Sequence, residues 1–456
     1  MNSQFLKRAT SIALSGLMVT SLLAGCQKTT NPEPTKAPDT TEAPVATDAP
    51  KDPASFTGEI SFAHFNNDEA SAIVKAFNAK YPNVKVNLQV TADTNGAYQT
   101  LMTNALRTGT DVPDVYASEV AFVKRFVNIQ NGYEDLSAAP YNAEELKNVL
   151  VPYTLDIGKS DDNKIRAVSH QACAGAVGYK REMAKKYLGT DEPEKIGEMF
   201  SSADKIVETA KILKEKSGGK AKIFPGLAEL MRMYLGSRSQ AWVVDNKLTI
   251  DPKMQEFVKL AKQLNDLGTL GSLTAWTPQW SAAIQDDVNF AYAIPTWGIP
   301  WIIDCNQAKD KQKTGDWGLA KAPTPYTWGG TWFGMYSGSK NKELAWEFIK
   351  FITCDEAQSK AWAKSSGDFV SNLKAIEELK ADTSFVSQTV NQNPYEFFAP
   401  MLDGINGSIV TQYDDQITNP FQTAMESYLA GKTTEEQMWA NWKKQLKNDL
   451  PDLTVE

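Results

Sequence analysis

Histidine is almost missing from this chain, with two residues, His64 and His170, among 456. That excludes a multi-histidine metal centre and leaves little imidazole for acid–base chemistry. Cysteine is scarce too: Cys26, Cys173, Cys305 and Cys354 are the four present. None has Cys-x-x-Cys spacing, so the chain is neither a zinc ribbon nor a disulfide scaffold. Basic charge is not in excess, since 47 Lys and Arg face 55 Asp and Glu for a formal net charge of −8. No general positive field is available to hold nucleic acid, which is not expected as a partner. The catalytic signatures G-x-S-x-G and H-E-x-x-H are missing, as are the phosphate-binding loop and a dinucleotide-binding G-x-G-x-x-G after a strand. No metal and no cofactor is expected.

Long apolar runs are lacking as well. The longest, residues 12–24 (IALSGLMVTSLLA), is shorter than the 18 or more needed to span a membrane. It follows the basic pair Lys7 and Arg8 and ends in Leu23-Ala24-Gly25-Cys26. That pattern reads as an export signal over 1–25, and its end resembles a bacterial lipobox, in which the Cys26 thiol is acylated. Residues 27–55 then repeat Pro, Thr, Ala and acids, with one Val as the only large aliphatic. Such a stretch cannot pack a core and is expected to be a tether, with 26–56 as a lipid-anchored linker. At about 3.1 Å per residue it reaches roughly 90 Å. The chain is therefore expected on the outer face of a cell membrane, held by Cys26.

Beyond the tether, hydrophobic periodicity predicts strand–helix–strand–helix–strand: Gly58–Phe65, Asp68–Lys80, Val84–Val90, Ala97–Thr108 and Pro113–Ala117. Alternation of this kind gives an α/β unit with parallel pairing, whose ligands sit at the carboxyl ends of the strands. Further strands are predicted at Lys164–Ser169, Ala176–Tyr179, Phe290–Ile294 and Trp332–Ser337. Helices are predicted at Ser202–Lys216, Met254–Leu267, Lys342–Thr353, Pro420–Ala430 and Thr434–Asn448. No internal sequence repeat is visible.

Tryptophan is what the chain has in excess. Seven of its 12 Trp fall between 276 and 332, where an even spread would put about 1.5. Their flanks are rich in Gly and Pro, which places them on loops and strand ends. A Trp face covers the apolar C–H face of a pyranose while hydroxyls bond to polar neighbours at its edge.

Several segments, in order, resemble the extracellular solute-binding family of ABC importers, the family of maltose-binding protein. They are Phe77-Asn78-Ala79-Lys80-Tyr81-Pro82-Asn83-Val84, Pro113-Asp114-Val115, Asn163 to Val168 leading into Gly178-Tyr179-Lys180, Phe290 to Ala293 followed by Trp297, and Ser339 to Phe351. The chain departs from the family at Tyr179-Lys180-Arg181 and between Ser169 and Ala176. The resemblance implies an α/β, two-lobe, periplasmic-binding-protein-like fold with hinge crossovers and a ligand cleft. One lobe would take 57–171 plus 318–371, the other 172–317 plus 372–456. It also implies a carbohydrate ligand, most simply an oligosaccharide, the transmembrane subunits of an ABC permease as partners, a monomer, and no enzymatic activity.

On that resemblance Trp297 is the cleft tryptophan, with Trp280, Trp328 and Trp332 as further stacking candidates. His64, Asn66 and Asn67 match the first cleft loop, and Glu119 the polar position after the Pro-Asp-Val strand. His170 and Gln171 fall at a lobe crossover, Glu229 in the second lobe, and Tyr413 with Asp414 near the last crossover helix. Other readings stay open at this point. Asn66 can cap a helix, and Glu229 can lie on a helix surface. A peptide or other small-solute carrier, or a secreted glycoside hydrolase using a pair of acids, is the alternative function.

Overall fold

The structure, a computed structural model, describes residues 51–308 and 312–456. The predicted signal, Cys26 and most of the tether lie outside these residues. Among the described residues the strands are β1 (Gly58–His64), β2 (Val84–Val90), β3 (Val115–Glu119), β4 (Val168–Ser169), β5 (Gly175–Lys180), β6 (Val243–Val244), β7 (Lys247–Leu248), β8 (Ala291–Pro295), β9 (Trp317–Ala320) and β10 (Thr331–Met335).

The first lobe forms as its periodicity dictates. Asn66 accepts the backbone N–H groups of Asp68 and Glu69 and so starts the helix Asn67–Lys80, whose Ile73 and Phe77 are buried. Phe77 stacks on Tyr81 and meets the ring edges of Phe348 and Phe351, tying this helix to Lys342–Thr353. These helices cover a five-stranded sheet of order β2-β1-β3-β10-β4. β1 pairs in parallel with β2 and β3, whereas β10 runs antiparallel to both β3 and β4.

The second lobe repeats this arrangement. β5 lies between β8 and β9 and is antiparallel to both. Parallel bridges then extend the sheet beyond β8, from Asn289 to Lys222 and from Phe224 to Leu270. The full order is therefore 269–271, 221–224, β8, β5, β9, with the same directions as in the first lobe. In each sheet the fourth position is filled by the strand that enters directly from the other lobe: β5 follows β4, and β10 follows β9.

The crossovers lie side by side. The chain through 170–174 bonds to the passage at 367–371 through Ser371 N–H to His170 O and Ala172 N–H to Phe369 O. Its other side bonds to the passage at 321–330 through Gly175 N–H to Tyr326 O and Trp328 N–H to Cys173 O. One apolar cluster spans this joint, from Tyr116 and Phe122 through Ala172 and Ala174 to Tyr292 and Ile294.

Four expectations shift. The folded unit starts before residue 57, because Phe56 packs edge-on against Tyr81. The boundary at 318 cuts β9, which pairs with β5 in the second sheet, so the return to the first lobe follows Ala320. The last long helix but one runs Asp414–Leu429 with Pro420 inside it. Pro420 removes only one backbone donor, and Asp414 and Asp415 suit the positive N-terminal end of that helix. The extended segment 164–169 shortens to the two residues of β4, because Arg166 and Ala167 bond to Gly158 O instead.

Gly175 sets the closeness of the crossovers: a Cβ there would stand 2.0 Å from Tyr326 Cζ. Gly175→Ala is expected to lower stability by about 1–3 kcal/mol through overpacking. Urea unfolding should show a lower midpoint with an unchanged slope.

Candidate functional site

The carboxyl ends of the parallel strands in both sheets point at the junction between the lobes. β1 leads into Asn66 and Glu69, and β3 ends at Glu119. In the second lobe 221–224 leads into the helix Leu227–Gly236, which carries Glu229 and Arg232. The strand at 269–271 leads to Trp276, and β8 to Trp297 and Trp301.

Two adjoining cavities open here, and Glu119 lines both. The larger, about 520 Å³, is bounded by Asn66, Glu69 and Trp362 from the first lobe and by Trp297 and Trp301 from the second. Gln171 and Asp368 close it at the hinge. The smaller, about 280 Å³, is bounded by Glu119, Arg232, Trp328, Asn406, Asp414 and Asp415.

Aromatic rings form the second-lobe wall. Trp297 and Trp328 meet edge to face with centroids 5.0 Å apart, and Trp276 lies nearly parallel to Trp297 at 6.2 Å. Trp297 Nε1 donates to Trp328 O at 2.8 Å. Gly329 makes that fit possible: its φ is +89°, and a Cβ would come 2.4 Å from Trp297 Nε1. Trp276 itself has φ +67°, an unusual conformation for a bulky residue and one concentrated at functional sites. Trp276 and Trp301 are each 54% exposed, a large share for an indole.

Buried charge forms the opposite wall and the floor. Burial pushes the Glu119 carboxyl up to about 7, helped by Asp415 and opposed by Ala121 N–H and Arg232. Burial also raises Asp368, whose Oδ2 accepts from Gln171 Nε2 at 2.6 Å and Trp362 Nε1 at 3.0 Å. Burial acts on Glu69 in the same direction, but His64 and His170 outweigh it and hold that carboxyl below its ordinary value. His170 Nε2 stands 3.0 Å from Glu69 Oε1. The Arg232 guanidinium lies 3.6 Å over the Trp328 ring, and its Nε has no hydrogen-bond partner.

The residues expected from sequence separate into two groups. Asn66, Glu119, Gln171, Trp297, Trp328 and Asp414 line the cavities. Asn66 also caps its helix, Gln171 bridges Asp368 to Thr331 N–H, and Asp414 holds Thr411 and Arg238. Arg232 occupies one face of Trp328, leaving that face closed to a ligand.

The others lie elsewhere. Trp280 is buried and donates to Glu229 Oε1 at 2.8 Å, while Glu229 Oε2 accepts from Ala293 N–H, so each holds the other inside the second lobe. Trp332 is buried and donates to Thr154 O. His64 is fully enclosed; its Nδ1 accepts Asn66 N–H, and its ring stacks on Phe65. His170 is enclosed behind Glu69. Asn67 points out beside Asp68, and Tyr413 packs on the second-lobe core at the start of its helix.

Trp276, Trp301, Trp362, Asp368, Arg232 and Asp415 were not among the expected site residues. A signal existed for Trp276 and Trp301, which follow the carboxyl ends of strands. None existed for Trp362, which the helical spacing of its neighbours makes look like a packing residue.

The raised Glu119 has a consequence for stability. Unfolded Glu ionises near 4.3, whereas folded Glu119 keeps its proton to about 7. Its contribution is fully present below the unfolded value and is lost as pH rises through the folded one. Glu119→Gln should remove this fall, so the variant gains on the native protein between about pH 4.5 and 7 and runs parallel to it outside that window. Urea midpoints across the range check this.

Comparison with known proteins agrees with this layout. The galacto-N-biose-/lacto-N-biose I-binding protein of an ABC transporter from Bifidobacterium longum superposes with a TM-score of 0.69 at 15% identity, covering 88% of this chain and 99% of that one. The sugar-binding protein MalE from Xanthomonas citri gives 0.68 at 15% identity, over 86% and 98%. The GacH receptor of Streptomyces glaucescens gives 0.66 at 18% identity, over 88% and 100%. At these identities the likeness is one of fold. The sequence goes further, since residues 66–359, most of the folded chain, match the family model described as bacterial extracellular solute-binding protein. The β1 exit, the crossovers at 170–174 and 321–330 and the tryptophan wall all fall inside that match, and by it this chain belongs to the bacterial extracellular solute-binding protein family.

Proposed function

We propose that the protein is the receptor of an ABC importer, capturing a carbohydrate between its lobes and delivering it to a membrane permease. The observation that carries this reading is the tryptophan wall: Trp297 and Trp301 line a cavity whose other sides are carboxylates and amides. Flat apolar faces beside directional acceptors suit a sugar ring, which has C–H faces and a hydroxyl edge. The proteins of similar fold from Bifidobacterium longum and Streptomyces glaucescens are described in complex with lacto-N-biose and with acarbose. The spread of aromatic rings over two adjoining cavities favours an oligosaccharide over a single ring.

Capture follows from differential contact. Glu119 and Trp362 belong to one lobe, and Trp297, Trp301 and Arg232 to the other. A ligand that touches both sets only when the lobes approach shifts the population toward the closed form. Hydrolysis of ATP would take place in the permease complex, so this chain needs only to bind, close and dock. A lipid on Cys26 would keep it within reach of the permease.

Calorimetry against an oligosaccharide panel tests the ligand class. Trp297→Ala is expected to weaken binding of any hit by about 1–3 kcal/mol, the range for lost stacking and burial. Unchanged affinity in a folded variant would remove Trp297 from the site. For the anchor, Cys26→Ser should move the exported protein from the detergent-partitioning membrane fraction to the soluble fraction, and retention in the membrane would exclude lipidation at that residue.

A further inference from the structure

The carbohydrate reading leaves open what kind of sugar the cleft prefers, and the charge of the larger cavity bears on that. Glu69, Glu119 and Asp368 line it, with Asp68 at its rim; among the described residues no Lys or Arg does. Asp368 is buried to 7% exposure and is already bound through Oδ2 to Gln171 and Trp362, which leaves Oδ1 without a hydrogen bond. Burial raises the Cys173 thiol, and Asp368, Glu119 and Glu69 add to the rise, so all three carboxylates lie near this hinge residue. Only Glu69 has imidazoles in close contact, although Arg232 also favours the charged form of Glu119, and His170 that of Asp368. His170 stands 3.0 Å from Glu69, with His64 behind it at 3.8 Å, and both are enclosed. The nearest guanidinium, Arg232, lies in the adjoining cavity, where Asp415 and Asp414 also face it.

The remaining walls are the indoles of Trp297, Trp301 and Trp362. Three carboxylates with no Lys or Arg in the lining, beside indole faces, form a site that favours positive charge twice over. Ion pairing is strong where water is excluded, and the ring quadrupoles attract a cation. A neutral sugar hydroxyl also donates to a carboxylate, but it cannot relieve the repulsion among several of them. We propose that the larger cavity selects a carbohydrate carrying a protonated amine, an amino sugar, over its hydroxyl counterpart. This rests on the carbohydrate reading above and narrows it to a substrate class.

The test compares matched pairs that differ at one carbon: chitosan disaccharide with cellobiose, glucosamine with glucose, and galactosamine with galactose. Calorimetry on the exported protein at about pH 7.5 leaves more than half of both Glu119 and an amine of ordinary α-amino basicity charged. The expected result is that the amine binds at least about tenfold tighter in the pairs that bind, an advantage that shrinks with added salt. Asp368→Asn, which keeps an acceptor for Gln171 and Trp362, should remove most of that advantage by weakening the amine far more than its hydroxyl partner. Equal or tighter binding of the hydroxyl partner overturns the amine preference and leaves the carbohydrate reading standing. Binding by no member of any pair, or by spermidine alone, overturns both. The salt dependence of the native protein decides the matter even if the variant fails to fold.

Discussion

The structure depends on three chain passages lying side by side between two sheets. Backbone hydrogen bonds hold 170–174 against 326–328 on one side and 369–371 on the other. Because two of these passages feed a strand directly into the neighbouring lobe's sheet, neither lobe is complete without the other's chain. β10 completes the first sheet and β5 the second, which fixes where the parallel strands end relative to the joint. Their carboxyl ends face one another, and the residues that follow them become the walls of the cleft.

Packing at the cleft shows how much of the tryptophan excess serves structure. Trp280 and Trp332 give their indole N–H groups to buried acceptors, Glu229 and Thr154 O. A buried Glu229 without those donors would carry the full desolvation cost of a charged group. Trp297 is fastened differently, by its own N–H to the Trp328 carbonyl across Gly329, so its edge is fixed while part of its face stays open. The same residue type thus supports the lobe from inside and presents a flat surface outside.

That distinction explains how far the sequence could be read. The first lobe was legible because its elements are local. Asn66 caps, Ile73 and Phe77 repeat at helical spacing, and Val84 to Val90 alternates, so period alone identifies them. Trp297 and Glu119 were legible because each directly follows a strand. Trp276 and Trp280 were not separable, since only four residues apart, one in a turn and one on the short helix Pro278–Ala283, the first is half exposed and the second buried. The difference arises from a positive φ at Trp276 and from Glu229, which is 51 positions away from Trp280. The swap of strands between lobes was equally invisible, because β9 is only four residues long and no periodicity marks it or says where it pairs. The shared sheet order of the lobes has no counterpart in sequence similarity; direction and order are set by topology, and many side chains satisfy them.

Burial of acids in the cleft carries its own argument about function. A protein selected for stability alone would replace Glu119 and Asp368 with neutral residues, since each is held partly out of water. Keeping them raises the energy of the empty site. A ligand that donates hydrogen bonds or charge to these groups recovers that energy on binding. The recovery is largest when both lobes surround it, because only then is water excluded. The same carboxylates that weaken the open form therefore reward closure. Discrimination and closure are in this sense one effect: a ligand unable to satisfy Asp368 and Glu119 would lack the differential affinity needed to hold the lobes together.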